Sequence, residues 1–372
     1  MIRTLFDETH EVFRLRVRDF LTDEVVPVYA GWQETGRPAH AFWRRAGEVG
    51  ILGIGVPAEH GGVPGSDFRH SVVVTEEAQR LFLALGGVRV HTDICMPYFL
   101  HYATAEQQAR WLPRLVSGDA VVALGLSEPG AGSDLAAMAT RAQREGDHYV
   151  VDGAKTFISN GAGADLVVLA VKTDPAAGRH GISLLVVATD SPGFQRGARL
   201  RKLGLHAQDL AELSFADLRV PVADRLGDEG AGFAYLTSNL AQERLSIAVN
   251  SQAAATAALT TTAAALAGSG AAQHAKFELA ACVAEVAAGQ ALVDAATAAL
   301  VAERLSGVDA ASAKLYCTEL QGRVVARCLA LLPVGSAAAR TLGHASLDGR
   351  VSRIYGGSSE IMKVLIAQPL GL

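Results

Sequence analysis

Several things are missing from this chain, and each absence removes a class of function. Its four cysteines, Cys95, Cys282, Cys317 and Cys328, include no pair at metal-knuckle or redox-pair spacing. That excludes a cysteine-built zinc site and a disulfide framework, and leaves each cysteine expected as a small buried apolar group in a reducing compartment. There is no basic excess: 33 Lys and Arg stand against 38 Asp and Glu, a formal net charge of -5. Binding to nucleic acid or to an anionic membrane surface therefore has no electrostatic basis. No stretch approaches the roughly 18 uninterrupted apolar residues of a membrane span, so no membrane insertion is expected. The opening stretch MIRTLFDETHEVFRLRVRDF is charged throughout and reads as an amphipathic helix rather than a secretory signal. With no low-complexity tail and no short repeat, the expectation is a cytoplasmic globular protein.

What is present is ample core-forming sequence: 372 residues, 50% of them hydrophobic, enough for two or three domains. The grammar changes twice. Residues 1–119 read as helical, with Phe6, Val12, Phe13, Val17 and Phe20 at helical spacing and a second amphipathic set at Glu106–Val116. Across 120–228, short apolar runs (Val121–Leu126, Leu166–Val171, Ile182–Val187, Ala211–Phe215) alternate with turn signals such as Asp152-Gly153 and Asp174-Pro175. That pattern predicts an antiparallel β domain. Residues 229–372 return to helices rich in alanine, with Leu279, Val283 and Val286 on one face, as close helix packing in a bundle requires. The expected class is α+β: an N-terminal helical domain, a central antiparallel β-barrel and a C-terminal four-helix bundle.

Five segments carry chemistry. Leu126–Asp134 reads LSEPGAGSD; its small residues cannot fill a core, so backbone N–H groups and the Ser127 and Ser133 hydroxyls are left to meet a ligand. Val151–Gly161 reads VDGAKTFISNG, where Asp152-Gly153 suits a hairpin turn, and Phe157 and Ser159 present a ring and a hydroxyl. Lys202–Leu213 has no assigned catalytic role; His206 reads as a surface or structural histidine and Asp209 as a turn or cap residue. Leu240–Ile247 reads LAQERLSI, in which apolar neighbours place Glu243 in poorly hydrated surroundings. A carboxyl group there has a raised pKa, as a base for a weakly acidic C–H needs. Arg353–Lys363 reads RIYGGSSEIMK, a glycine pair that permits close backbone approach.

Together these segments, spread from about residue 35 to 370, resemble the acyl-CoA dehydrogenase family. The resemblance implies FAD-dependent α,β-dehydrogenation of an acyl-CoA thioester, with an electron-transferring flavoprotein as acceptor. It implies flavin contacts at Leu126, Ser127, Ser133, Phe157, Ser159, Ser358 and Glu360, and substrate contacts at Ser133, Arg244 and Tyr355. The Gly356 N–H matches the family's donor to the thioester carbonyl. Most branches carry the catalytic acid directly after the tyrosine of an IYEG-like motif, where this chain has Gly356. The long-chain and isovaleryl-type branches use a Glu on the first bundle helix, matched by Glu243. Two family patches that grip a neighbouring subunit's flavin pyrophosphate are poor here. An Arg-x-x-Phe-Gly turn is replaced within Thr260–Gln273, and a Gln-x-x-Gly-Gly-x-Gly stretch within Cys328–Ala337. The expected assembly is a homo-oligomer (dimer or tetramer) or a heteromer with a related subunit. Two alternative functions accompany the main one: the same reaction on a carrier-protein thioester, and a non-catalytic partner subunit.

Overall fold

Asp7 shows how the first helix begins. Its carboxylate accepts the Thr9 and His10 N–H groups, closing a capping box that starts α1 (Glu8–Phe20). Residues 3–371 are described by this computed structural model; Met1, Ile2 and Leu372, the outer ends of the first and last stretches, lie outside them. α1 buries Phe13, Val17 and Phe20, while Phe6 packs at the edge of the same core. Helical spacing groups Val12 with them, yet it is 55% exposed, because it lies on the far side of the helix from Phe13 and Val17.

The rest of the N-terminal unit comprises α2 (Val26–Thr35), α3 (His40–Val49), α4 (Phe68–Arg80), α5 (Gly86–Arg89), α6 (Met96–Tyr102) and α7 (Ala105–Ser117). Two π-helical segments, Leu21–Val25 and Val90–Cys95, lead into α2 and α6, just ahead of Pro27 and Pro97. A proline ring lacks the N–H that would continue an α-ladder and clashes with the carbonyl a turn earlier, so the chain widens at both places. The second widening turns His91, Asp93 and Cys95 inward.

The middle unit is one eight-stranded sheet: β1 (Val122–Gly125), β2 (Arg141–Glu145), β3 (His148–Ser159), β4 (Leu166–Lys172), β5 (Ile182–Ala188), β6 (Phe194–Arg199), β7 (Leu210–Pro221) and β8 (Arg225–Leu226). Along the sheet the strand order is β6-β7-β3-β2-β4-β5-β8, with β1 joining β4. The pairing is mixed rather than purely antiparallel, since β1 and β2 both run parallel to β4. β4 and β5 are apolar almost without a break because both of their faces are covered. Leu166, Val168 and Ala170 meet Phe99, Trp111 and Leu115 of the N-terminal helices, whereas Val167, Leu169 and Val171 meet Tyr149, Val151 and Leu218. Asp152-Gly153 does not form a hairpin turn. It lies inside β3 at a register shift against β7, and the turn falls at Gly146-Asp147 between β2 and β3. Glycine serves both features, and a Cβ on Gly153 would come within 2.5 Å of Thr140 Oγ1.

The C-terminal unit is built from α8 (Gly232–Leu266), α9 (Gln273–Val301), α10 (Gly307–Leu331), α11 (Ala337–Asp348) and α12 (Ser359–Ala367). α9 is long and apolar enough, by length and composition alone, to cross a membrane, with a mean hydropathy of 1.5 over 18 residues. That value comes largely from alanine, and Glu285 and Asp294 on the same helix form ion pairs with Arg327 and Arg3. Val286 faces the bundle core, but Val283, expected on that face, is exposed.

A buried ion pair fixes the glycine-rich loop against β3. Lys155 Nζ donates to Glu128 Oε1 at 2.7 Å and to Leu126 O at 3.2 Å. Glu128 also accepts the Thr140 N–H at 3.0 Å and the Ala139 N–H. Burial raises the Glu128 pKa, and the Ala139 N–H and Lys155 more than reverse it, leaving the carboxyl below the usual range. The stabilisation is therefore present at neutral pH and is lost as pH falls through the native pKa of Glu128. Lys155→Met is expected to cost about 3–5 kcal/mol by stranding that carboxylate. Adding Glu128→Gln should recover most of the loss, as denaturant melts of the two variants will read.

Candidate active site

Glu243 and Gly356 meet although 113 residues separate them (356 − 243). Glu243 stands on α8, on the turn where Gln242 and Ser246 engage Asp93. Gln242 Nε2 donates to Asp93 O at 2.8 Å and Ser246 Oγ to Asp93 Oδ2 at 2.6 Å. Gly356 and Gly357 follow the turn Gly349–Arg353 with φ of +64° and +89°, a region that side-chain-bearing residues avoid. A Cβ on Gly356 would lie 3.4 Å from Glu243 Oε1 and would collide with Ile247 Cδ1. Ile247 thus fills the space that a side chain at 356 would need, and the carboxylate from the helix lies in contact with its edge.

Two cations hold this arrangement. Arg244 is buried, with Nε 3.5 Å from Gly356 O. Lys314 of α10 is 0% exposed and donates from Nζ to Gly357 O at 2.5 Å. Burial raises the Glu243 pKa above the ordinary carboxylate value, and Arg244 and Lys314 pull it part of the way back. Burial, with the like charge of Arg244, lowers Lys314 to about 8. Cys95 and Tyr98 complete the surroundings; burial first, then the Glu243 charge, pushes both of their pKa values up. One turn before Glu243, Asn239 is buried with its amide against the Tyr98 hydroxyl.

On the β side, the Thr156 N–H donates to Ser127 O at 2.8 Å, which sets Ser127 beside Phe157. Phe157 sits in a second register shift of β3 with φ of +58° and is 65% exposed. A bulky residue in the left-handed region is strained, and here the strain turns the ring out of the sheet. Ser159 Oγ accepts from Gln208 Nε2 at 3.2 Å. Ser358 caps α12 by accepting the Ile361 N–H at 3.4 Å, with Glu360 exposed in its first turn. An outward aromatic ring flanked by hydroxyls is a suitable donor set for a flat heteroaromatic cofactor such as a flavin.

Of the residues expected at the site, Glu243, Arg244, Tyr355 and Gly356 are clustered, and Leu126, Ser127, Phe157 and Ser159 lie together on the sheet. Tyr355 and Gln208, which bonds Ser159, line one cavity. Ser133 is exposed in its turn. His206 is exposed, and Asp209 is buried, accepting the Ala162 N–H at 3.3 Å. Glu128, Lys155 and Lys314 are site residues that sequence reasoning missed. For Lys314 a signal existed: it shares a helix stripe with Ala310, Ala311, Ala313 and Cys317, all buried, and a lone lysine on such a stripe must find a partner.

Family models for the N-terminal, middle and C-terminal domains of acyl-CoA dehydrogenases match residues 7–119, 123–218 and 230–371. The chain is 36% identical over 385 residues to the long-chain specific mitochondrial acyl-CoA dehydrogenase of Rattus norvegicus, covering 99% of this chain and 88% of that protein. A solved acyl-CoA dehydrogenase from Geobacillus kaustophilus superposes with a TM-score of 0.94 at 40% identity, covering 100% of both chains. A glutaryl-CoA dehydrogenase from Mycobacterium smegmatis, solved in complex with FADH2, superposes at 0.90 with 27% identity, covering 98% of this chain and 95% of that one.

The cation pair makes the ionisation of Glu243 a test of the geometry. Lys314→Met removes a positive charge that favours the carboxylate, so Glu243 should ionise at higher pH. The carboxyl infrared band assigned by difference against Glu243→Gln will report it; an unmoved titration would mean that Lys314 is electrostatically remote.

Proposed function

The chain belongs to the acyl-CoA dehydrogenase family, and on that premise we propose that Glu243 is its catalytic base. The family's chemistry is FAD-dependent dehydrogenation of acyl-CoA thioesters, and the chain is a flavin-dependent oxidoreductase of that kind. Glu243 takes the α-proton of the thioester, with Arg244 and Lys314 favouring its carboxylate against burial, which favours the acid. The observation that carries this reading is the placement of Glu243 Oε1 over the glycine that replaces the family's usual acid. The Gly356 N–H donates to the thioester carbonyl and stabilises the charge that develops there. Donors of this type are worth roughly 3 kcal/mol. Arg244 and Lys314 hold the carbonyls of Gly356 and Gly357, which restrains the glycine pair that presents that N–H.

Phe157 would lie against the flavin ring, with Ser127, Ser159 and Ser358 at its polar edges and Leu126, Ser133 and Glu360 alongside. Bound FAD supplies a hydride acceptor for the β-hydrogen. Tyr355 and Ser133 flank the substrate with Arg244. An electron-transferring flavoprotein is the proposed acceptor of the electrons. A carrier-protein thioester presents the same pantetheine arm and is the alternative substrate.

The assembly is proposed to include a related subunit that grips the FAD pyrophosphate. Two observations support it. The segments that lack the family's neighbour-gripping residues meet at one end of the bundle, where Cys328 touches Thr262. Nearby Val334 is fully exposed, as are Phe277 and Val283 on α9 to a lesser degree, so apolar surface is available for a partner. The role of a non-catalytic partner is disfavoured by the intact setting of Glu243.

The visible spectrum of the purified protein tests the reading. A panel of acyl-CoA and acyl-carrier thioesters should include one that bleaches the flavin band, and Glu243→Gln should slow that bleaching by roughly 10²–10⁴-fold. Because the base must be ionised, the rate should rise with pH through a pKa displaced above the ordinary carboxylate value. Stoichiometric FAD and full turnover in the isolated chain would refute the partner subunit.

A further inference from the structure

The space beyond Glu243 has its own chemistry. A cavity of about 570 Å³ lies where the three units of the fold meet. Its walls begin where the proposed site ends. Tyr355, the residue before Gly356, lines it, and so does Gln208, the partner of Ser159. Asn250 and Ala254 line it from α8. They follow Glu243 at i+7 and i+11, on the same helix face as Ile247. Seven residues of helix advance roughly 10 Å, so Asn250 stands about that far from the base. At the far end Arg340 and His344 are exposed, and the cavity opens there to solvent.

The lining is unsuited to a plain hydrocarbon. Gln79 Nε2 donates to Asn250 Oδ1 at 2.9 Å. An amide has two donor hydrogens and two acceptor sites, so each partner keeps hydrogen-bonding capacity after that bond is made. Gln208 adds a third amide to the wall, between apolar surfaces from Phe82 and Leu205. An alkyl chain laid along this face would take the amides out of water and return nothing to them. A carbon skeleton with an oxygen at the right place satisfies both kinds of surface, which is how ligand pockets combine apolar walls with a few placed polar groups.

We infer that this cavity holds the distal part of the acyl group and selects hydroxy- or oxo-acyl thioesters, with the oxygen about 10 Å from the reacting carbons. The inference rests on the dehydrogenase reading above. Glu243 acts at the α-carbon, the acyl group runs along α8 past Ile247, and its oxygen meets the Gln79–Asn250 pair.

The test compares decanoyl-CoA with ω-hydroxydecanoyl-CoA on the flavin-loaded enzyme, in whatever assembly binds FAD. The expected kcat/KM is at least about tenfold higher for the hydroxy thioester, equivalent to about 1.4 kcal/mol. The double variant Gln79→Leu/Asn250→Leu removes both members of the amide pair and should bring the ratio to one or below. Because the ratio is taken within each protein, general damage to the variant cancels, and the ratio in the unaltered enzyme is decisive by itself. A ratio near one in the unaltered enzyme, or a ratio the double variant leaves intact, overturns the inference. Bleaching by decanoyl-CoA without discrimination removes only the assignment of the cavity. Failure of every thioester to bleach the flavin removes the dehydrogenase reading, and this inference with it.

Discussion

A carboxylate on an internal helix face is unfavourable unless the protein replaces the solvation that water gave it. Glu243 is such a group, half-buried on its helix, and much of the fold serves it. Helix α8 carries it inward, the segment before α6 widens to bring Cys95 and Asp93 alongside, and α10 delivers a lysine with no exposed surface. The result is a balance. Burial favours the neutral acid and two cations favour the anion, so the group stays more basic than a solvated carboxylate. Replacing the lysine with an apolar residue would fill the same volume and leave the carboxylate with one cation fewer.

The sheet makes the complementary half of the site. β4 and β5 are held rigidly between two cores, and the chain uses that stiffness to distort β3 twice, at Gly153 and at Phe157. A ring turned outward by backbone strain keeps its place only if neighbouring backbone is fixed. The buried Glu128–Lys155 pair and the Thr156–Ser127 hydrogen bond supply that restraint. Strain at β3 and buried charge beneath the loop are two parts of one device.

Much of this was legible in the sequence, for identifiable reasons. The runs Leu166–Val171 and Ile182–Val187 were readable as strands because both faces are buried, and the helical ends were readable from period and caps. The exchange of an acid at 356 for one at 243 was visible because a family pattern ties the two positions together. What failed has physical causes too. Gly153 looks like a turn because turns and bulges recruit glycine for the same conformational freedom. Val12 and Val283 share spacing with buried neighbours, yet they fall on the outer side of their helices. The parallel contacts of β4 with β1 and β2 leave no local mark. Lys155 and Lys314 find their partners 27 and 43 residues away, Lys314 at a main-chain carbonyl, which no residue-type pattern encodes.

Placing the acid on α8 rather than on the loop has a consequence for how this site can vary. A base carried by a 35-residue helix inherits the stiffness of the bundle, whereas one carried by a short loop moves whenever the loop moves. With Glu243 as the proposed base, the Gly356-Gly357 turn is relieved of proton transfer and keeps only the task of presenting an N–H. Changes in its flanks that reshape the proposed acyl compartment through Tyr355 need not displace that base. The two duties have been uncoupled, so the range of substrates can drift while the acid–base chemistry stays fixed.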